Sequence, residues 1–408
     1  MASISPEQLA RQLLEECLSG RDWSPEALQA LLDSCDQPEG VKALFAGLVE
    51  PLGDRFERSL VDCYVNIFSE AIARFIPGRT ARQIQDRYQQ IRNGNPTFSG
   101  RKVDRVYVLS RITLGADIAV SSQFLAAAAA LFPTAEIFFV GLRKNFELFA
   151  GNPRLQLVDL NYGRSGLLTD RLKSGQQLAN VISGSNSLVL DPDSRLTQLG
   201  LLTVVEHDQY VFFESRSYGA EGSLSIGELT GRWIVENLGY GGSFPWVNPA
   251  YPSSSTRNDV TISFGFGGNA AKRVGEAFEL ETVRSLIRMG LDVVVDEGGS
   301  TEEQAIARSI AATTGCRTHQ GSFASFCRQI EAGKLYIGYD SAGQHAAAAL
   351  GVPSITAFRG WVSPRMLARW SPWGRGQNLV IPVTNGTETE VAAHLIKEAA
   401  VVLNRTAF

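Results

Sequence analysis

Asp340 and His345 flank the segment of this sequence that is best suited to chemistry. Between them lies a turn of small residues, Ser341, Ala342 and Gly343, which joins a short apolar strand to an alanine-rich helix. Backbone N–H groups at the start of a helix have no partner within that helix, and the helix dipole favours an anion there. The segment therefore predicts a phosphate-binding turn. A plain strand–helix turn without a ligand is the alternative, and His345 on an alanine-rich helix is by default a packed histidine.

Asp117 and Lys272 also follow predicted strands. Asp117 comes shortly after an apolar strand at residues 106–110, and its spacing alone slightly favours a helix cap over a catalytic carboxylate. Lys272 follows a strand that ends in glycines, where the backbone can approach a ligand closely. A lysine there can bind a phosphate, although a solvated lysine at a helix start has the same spacing.

Acidic residues follow two other predicted strands. Glu303 stands three residues after Ser300, which is the spacing of a capping box. The other interpretation of Glu303, and less favourably of Glu302, is a carboxylate that binds a ribose. The run 191–193, Asp-Pro-Asp, has the spacing of a metal-binding acidic motif, but we expect acceptor recognition or loop structure there.

The patterns that must position these residues divide the chain into three parts. Residues 1–98 show helical periodicity only and predict an all-α module for packing or oligomerisation. Alternating strands and helices follow, which is the rhythm of parallel, doubly wound sheets. A Pro/Ser/Asn-rich stretch at 245–258 predicts a linker, so we expect Rossmann-like domains at 99–250 and 251–408. Ligands of such sheets bind beyond the carboxyl ends of the strands, which predicts a site in the cleft between the two domains. The predicted strands lie at 106–110, 136–141, 155–160, 187–190, 204–213, 260–266, 291–296, 334–340, 354–358 and 378–382.

Composition excludes several classes of protein. The 408 residues exceed what one core usually serves, and the net charge of −4 provides no field for non-specific binding of nucleic acid. Five scattered cysteines without a CxxC motif, and only four histidines, argue against a metal site and suit a reducing compartment. The acidic, amphipathic N-terminus is not typical of a signal peptide, and we expect no apolar run of membrane-spanning length.

Taken together, these features resemble the family 9 glycosyltransferases, the ADP-heptose heptosyltransferases of bacterial cell-surface glycan assembly. The resemblance begins near residue 103. Its most specific part is Asp-Ser-Ala-Gly-Gln-His at 340–345, followed by an alanine-rich helix. The Trp-Ser-Pro-Trp-Gly run at 370–374 and the Phe-Pro-Thr-Ala-Glu-Ile run at 132–137 are similar to other segments of the family.

The resemblance implies a GT-B fold of two Rossmann-like domains facing a cleft, with the acceptor in the first and the nucleotide sugar in the second. It implies inverting transfer, without a metal or cofactor, from a nucleotide-diphosphate sugar such as ADP-heptose. Asp117 would be the catalytic base and Lys272 the phosphate lysine, while Glu303 would bind the ribose. The turn Ser341, Ala342 and Gly343 would bind phosphate, and Asp340 and His345 would orient the sugar or hold the turn.

The implied partners are the nucleotide sugar and a glycan, lipid-linked or protein acceptor, with a homo-oligomer formed through the N-terminal helices. The implied location is the cytoplasm or the inner face of the membrane. This chain differs from the family pattern at Ala116, where the family has glycine, and at Ala342. Two alternatives stay open: a GT-B nucleotide-sugar epimerase, and a degenerate transferase that serves as a binding scaffold.

Overall fold

A computed structural model describes residues 4–94, 102–163, 166–219, 222–252 and 256–405. The N-terminal part is helical, as its periodicity predicts. Serine or threonine caps the helices that begin at Pro6, Pro25 and Ala81, and prolines occupy the first turn of the first two. Its α-helices are Pro6–Leu18, Pro25–Asp33, Pro38–Lys42, Glu50–Gly53, Arg58–Phe75 and Ala81–Asn93, and a π-helical stretch, Ala43–Val49, joins the third to the fourth.

The first sheet has five parallel strands in the order β3-β2-β1-β4-β5. The predicted strand at 204–213 is shorter than expected, because its polar residues form a 3-10 turn, His207–Gln209, instead. The strands are β1 Arg105–Leu109, β2 Glu136–Gly141, β3 Leu155–Asp159, β4 Ser187–Asp191 and β5 Tyr210–Phe212. The longer helices of this part are Leu114–Leu131, which contains a π-helical turn at Asp117–Ser121, Leu168–Val181 and Ile226–Leu238.

The second sheet has six parallel strands in the order β11-β10-β9-β6-β7-β8. The short edge strand β8 was not predicted from its polar sequence, Arg-Thr-His. The strands are β6 Asn258–Ser263, β7 Val293–Asp296, β8 Arg317–His319, β9 Gly333–Tyr339, β10 Ser354–Phe358 and β11 Asn378–Pro382. The helices are Glu276–Arg288, Thr301–Thr314, Phe323–Glu331, Ala342–Leu350, Pro364–Trp370 and Glu388–Arg405.

The helical module covers one face of the first sheet. Alternate strand residues, including Tyr107, Val189 and Phe212, share one apolar core with helical residues such as Tyr64 and Phe68. The opposite face packs on the helix Leu114–Leu131, in a second core that also includes residues of the second sheet's domain. The module is therefore part of the first domain's core. The predicted boundary at 98/99 lies outside the described residues, as do 253–255 of the predicted linker.

One described helix, Leu114–Leu131, reaches membrane-spanning length and apolarity, contrary to the expectation from sequence. Its position explains its composition, because 67% of it is buried inside the protein. It lies against the central strand β1 and has the character of a core helix.

Candidate active site

Lys272 and Asp340 meet at the carboxyl ends of β6 and β9, the two central strands of the second sheet. Lys272 Nζ lies 2.7 Å from Asp340 Oδ2 and donates a hydrogen bond to the Asp340 carbonyl at 3.0 Å. Gln344 Nε2 donates to Asp340 Oδ1 at 2.7 Å. Burial raises the pKa of the Asp340 carboxyl, and the Lys272 ammonium opposes that rise. The structure thus joins two predicted site residues that are 68 positions apart.

The predicted phosphate turn has the geometry of a helix start. Ser341 occupies the N-cap position of the helix Ala342–Leu350, but its side chain makes no capping hydrogen bond. Gly343 is required by packing, since a β-carbon there would lie 2.0 Å from the hydroxyl oxygen of the buried Tyr336. The first backbone N–H groups of this helix lack helical partners, as in any α-helix, so Lys272 and the helix dipole both favour an anion here.

His345 lies at the contact between the two domains. A β-carbon on Gly115, in the turn after β1, would lie 3.0 Å from His345 Cδ2 and 3.3 Å from Ala342 Cα. The His345 ring also packs edge-on against Trp370, with centroids 6.1 Å apart. Burial lowers the pKa of His345 to about 3, with a contribution from the Lys272 charge, so the imidazole is neutral near pH 7. The structure therefore makes His345 a packed residue beside the candidate phosphate turn.

Asp117 is fully buried below the turn after β1. It does not cap the helix, because the helix begins at Leu114 and Asp117 lies in its π-helical turn. Burial raises the pKa of the Asp117 carboxyl, and its hydrogen bonds oppose the rise. The carboxylate accepts four hydrogen bonds of 2.6 Å, from the hydroxyls of Ser110 and Ser121, the backbone N–H of Arg111 and the amide of Asn145. All of these contacts are internal to the first domain.

Glu303 forms the predicted capping box with Ser300. Its Oε2 accepts from the backbone N–H groups of Gly299 and Ser300, and its Oε1 accepts from those of Phe266 and Gly267. Because two donors belong to the loop after β6 and two to the loop after β7, the Glu303 carboxylate holds these two loops together. Both carboxylate oxygens are occupied, so binding a ribose would require Glu303 to exchange backbone partners. Glu302 is exposed.

Asp193 belongs to a buried charge cluster that sequence reasoning missed. Its Oδ2 lies 2.5 Å from Arg216 Nη1, 2.6 Å from Ser215 Oγ and 3.8 Å from Arg111 Nη2. Asp191 holds the same loop by accepting hydrogen bonds from Thr197 and from the backbone of Ser194. These contacts favour loop structure for the 191–193 run. Only the acidic pair was visible in the sequence, because both arginines are remote from it.

The helical module reaches the second domain through Phe56. Arg365 donates to the Phe56 carbonyl at 2.7 Å, and the Phe56 ring packs edge-on against Trp370 with centroids 6.2 Å apart. Arg369, also fully buried, donates to backbone carbonyls of the first domain at Gly219, Gly222 and Leu224. The helix Pro364–Trp370, which sequence analysis did not identify, therefore connects three parts of the chain.

Solved structures share this architecture. A family 9 glycosyl transferase from Veillonella parvula aligns with a TM-score of 0.55 at 14% identity, covering 74% of this chain and 99% of its own. The E. coli heptosyltransferase WaaC with ADP aligns with a TM-score of 0.54 at 14% identity, covering 72% and 99%. E. coli ADP-heptose LPS heptosyltransferase II aligns with a TM-score of 0.53 at 18% identity, covering 75% and 100%.

The sequence matches no known family profile and no curated protein. At these identities the structural likeness establishes the fold. It confirms the predicted GT-B architecture and the predicted resemblance to family 9 glycosyltransferases at the level of fold. These structures are covered almost completely, whereas about three quarters of this chain is covered. The remainder is comparable in length to the helical module.

Proposed function

We propose that this protein is a glycosyltransferase that moves a sugar, which we infer to be a heptose, from a nucleotide-diphosphate sugar to a hydroxyl group of an acceptor. The fold supports this proposal, because the structures that share it include heptosyltransferases, one of them with ADP. We propose a glycan, lipid-linked or protein acceptor and a site of action in the cytoplasm or at the inner face of the membrane. Homo-oligomerisation through the N-terminal helices stays a prediction.

The observation that carries the proposal is the Lys272–Asp340 pair beside the start of the helix Ala342–Leu350. A departing nucleoside diphosphate needs fixed positive charge to stabilise it. The Lys272 ammonium and the N–H groups of the helix supply that charge, and Asp340 holds the ammonium in place. The described residues contain no group of three or more His, Cys, Asp or Glu side chains that could hold a metal ion. We propose that the Lys272 ammonium takes the role that a metal plays in other transferases, because it lies beside the start of this helix.

The acceptor hydroxyl must also lose a proton as it attacks. The family resemblance assigns this task to Asp117, and that assignment stays a prediction. In the structure, however, the four hydrogen bonds of Asp117 point into the first domain. Asp117 would have to give up at least one of these bonds to receive a proton from the cleft.

A ligand panel tests the proposed function. The melting temperature of the protein is measured with ADP, UDP, GDP and CDP. It is then measured with nucleotide sugars that contain the nucleotide that binds. A ligand at about 100 times its Kd stabilises the native state by ~2.7 kcal/mol. We expect one nucleotide diphosphate to raise the melting temperature. The corresponding nucleotide sugar should react only when an acceptor is added.

Other results would select the alternatives. Conversion of the sugar to an epimer without an acceptor would indicate an epimerase. Binding of a nucleotide sugar without any turnover would indicate a scaffold. If no nucleotide diphosphate raises the melting temperature, the proposal is wrong.

A further inference from the structure

Residues 53–56 of the helical module, here called the interdomain segment, lie between the two domains. At one end, a β-carbon on Gly53 would lie 2.7 Å from Arg216 Nε of the first domain. At the other end, Phe56 contacts Arg365 and Trp370 of the second domain. Phe56 has a left-handed backbone, with a φ of 57°, which turns the chain sharply at this point. The segment is therefore held from both sides.

Asp54 stands in the middle of this segment and has an unpaired carboxylate. Its side chain is partly exposed. Its backbone N–H donates to Glu50, but no described residue hydrogen-bonds or forms an ion pair with the Asp54 carboxylate. The positive charges of three basic residues, from both domains, act on the Asp54 carboxylate. Each of the three forms an ion pair with another acid: Arg216 with Asp193, Arg195 with Glu50 and Lys272 with Asp340.

Three other acidic residues near the cleft are occupied. Asp117 accepts four hydrogen bonds and is fully buried, and Asp193 is paired with Arg216. Asp340 is bound by Lys272 and Gln344. Asp54 differs from these three residues, because within the described part of the chain its carboxylate oxygens are free to contact a substrate.

We propose that Asp54 is the catalytic base of the acceptor site and that the helical module completes that site. This inference rests on the proposed transferase function. The acceptor oxygen forms a bond to the anomeric carbon of the donor sugar. The bond from that carbon to the diphosphate oxygen breaks, and the nucleoside diphosphate leaves with the bonding electrons towards Lys272. The acceptor proton passes to the Asp54 carboxylate.

The electrostatic environment of Asp54 suits this role. Burial raises the pKa of the Asp54 carboxyl, while the charges of Arg216, Arg195 and Lys272 lower it in part. The negative charge of Glu50 raises the pKa of Asp54 further. A carboxylate with a raised pKa is a stronger base.

The test compares Asp54→Asn with Asp117→Asn and with Asp36→Asn, an exposed aspartate of the same module. ADP release from ADP-heptose is measured in water alone and with heptose-free lipopolysaccharide, beside ADP affinity by calorimetry and the melting temperature. We expect Asp54→Asn to slow ADP release by ~10²–10⁴-fold. ADP affinity and melting temperature should be retained, because the carboxylate supports no other group. Asp36→Asn should behave as the wild type.

The outcomes separate this inference from the proposed function. Release at the wild-type rate by Asp54→Asn, with loss in Asp117→Asn, would overturn the role of Asp54 and leave the transferase function intact. A fall in melting temperature that accounts for the lost rate would show that Asp54 is structural. A wild-type protein that binds no nucleotide, or binds ADP-heptose and never releases ADP, would overturn both proposals.

Discussion

Replacement of Lys272 by methionine tests the candidate phosphate site most directly. Methionine keeps an apolar stem of similar length but removes the ammonium that lies 2.7 Å from Asp340. Asp340 is only 4% exposed, so Lys272→Met leaves a buried carboxylate without its cation. Breaking a buried ion pair by removing one partner costs about 3–5 kcal/mol. The Lys272 side chain is 23% exposed, which places the expected loss near the lower limit, about 3 kcal/mol.

The chain contains a matched control for this variant. Lys334 Nζ lies 2.8 Å from Asp259 Oδ1 at the amino ends of the same two strands, β6 and β9, with the lysine 58% exposed. A surface pair of this kind contributes about 0–1 kcal/mol. In a domain of this size, 1 kcal/mol corresponds to ~2–4 °C in melting temperature. We therefore expect Lys272→Met to melt ~6–12 °C below the wild type, and Lys334→Met to melt less than ~4 °C below it.

The same two variants separate binding from stability. A charge-assisted hydrogen bond to phosphate contributes about 1.5–3 kcal/mol, so Lys272→Met should bind ADP ~10–150-fold more weakly. Adenosine, which lacks phosphate, should bind both variants equally in calorimetry. Adding Asp340→Asn to Lys272→Met removes the unpaired carboxylate and should restore part of the melting temperature, but not ADP affinity. Equal losses for ADP and adenosine, or wild-type ADP affinity in Lys272→Met, would refute this reasoning.

Other substitutions test neighbouring groups. Asp117→Asn turns an amide donor towards Ser110 and should cost ~1–3 kcal/mol of stability; an unchanged melting temperature with lost transfer would instead support Asp117 as a solvent-facing base. Gly343→Ala places a β-carbon 2.0 Å from the Tyr336 hydroxyl, so ADP affinity in calorimetry should fall at least ~10-fold as the helix start shifts. The unfolded chain protonates His345 near pH 6.5 and the folded chain only near pH 3. The neutral His345 imidazole therefore contributes its full stabilisation above pH 6.5, and the free energy of unfolding falls on acidification by ~1.4 kcal/mol per pH unit. If the free energy of unfolding has the same pH dependence in the wild type and in His345→Gln, this prediction is wrong.

The features that depend on neighbouring residues were predictable from the sequence. The apolar runs and helical stripes predicted two parallel sheets after a helical module, because buried parallel strands and amphipathic helices have distinct periodicities. The capping box of Ser300 and Glu303 was visible because its two residues are three positions apart. The strand–helix turn at 341–343, which we predict to bind phosphate, was recognisable for the same reason. Predictions of strand length were weaker, and a polar turn, His207–Gln209, replaced most of one expected strand.

The partners of each acidic group depend on contacts between distant parts of the chain. The Asp117 carboxylate accepts a hydrogen bond from Asn145, which is 28 residues away and belongs to the segment after β2. The contact between Phe56 and Arg365 joins residues 309 positions apart and places the free carboxylate of Asp54 between the domains. Spacing along a chain specifies periodicity and local hydrogen bonds, but it carries no information on which distant donor reaches a carboxylate. That partner determines whether the carboxylate is held inside the protein or left free to take a proton, and only the packing of the three parts of the chain supplies it.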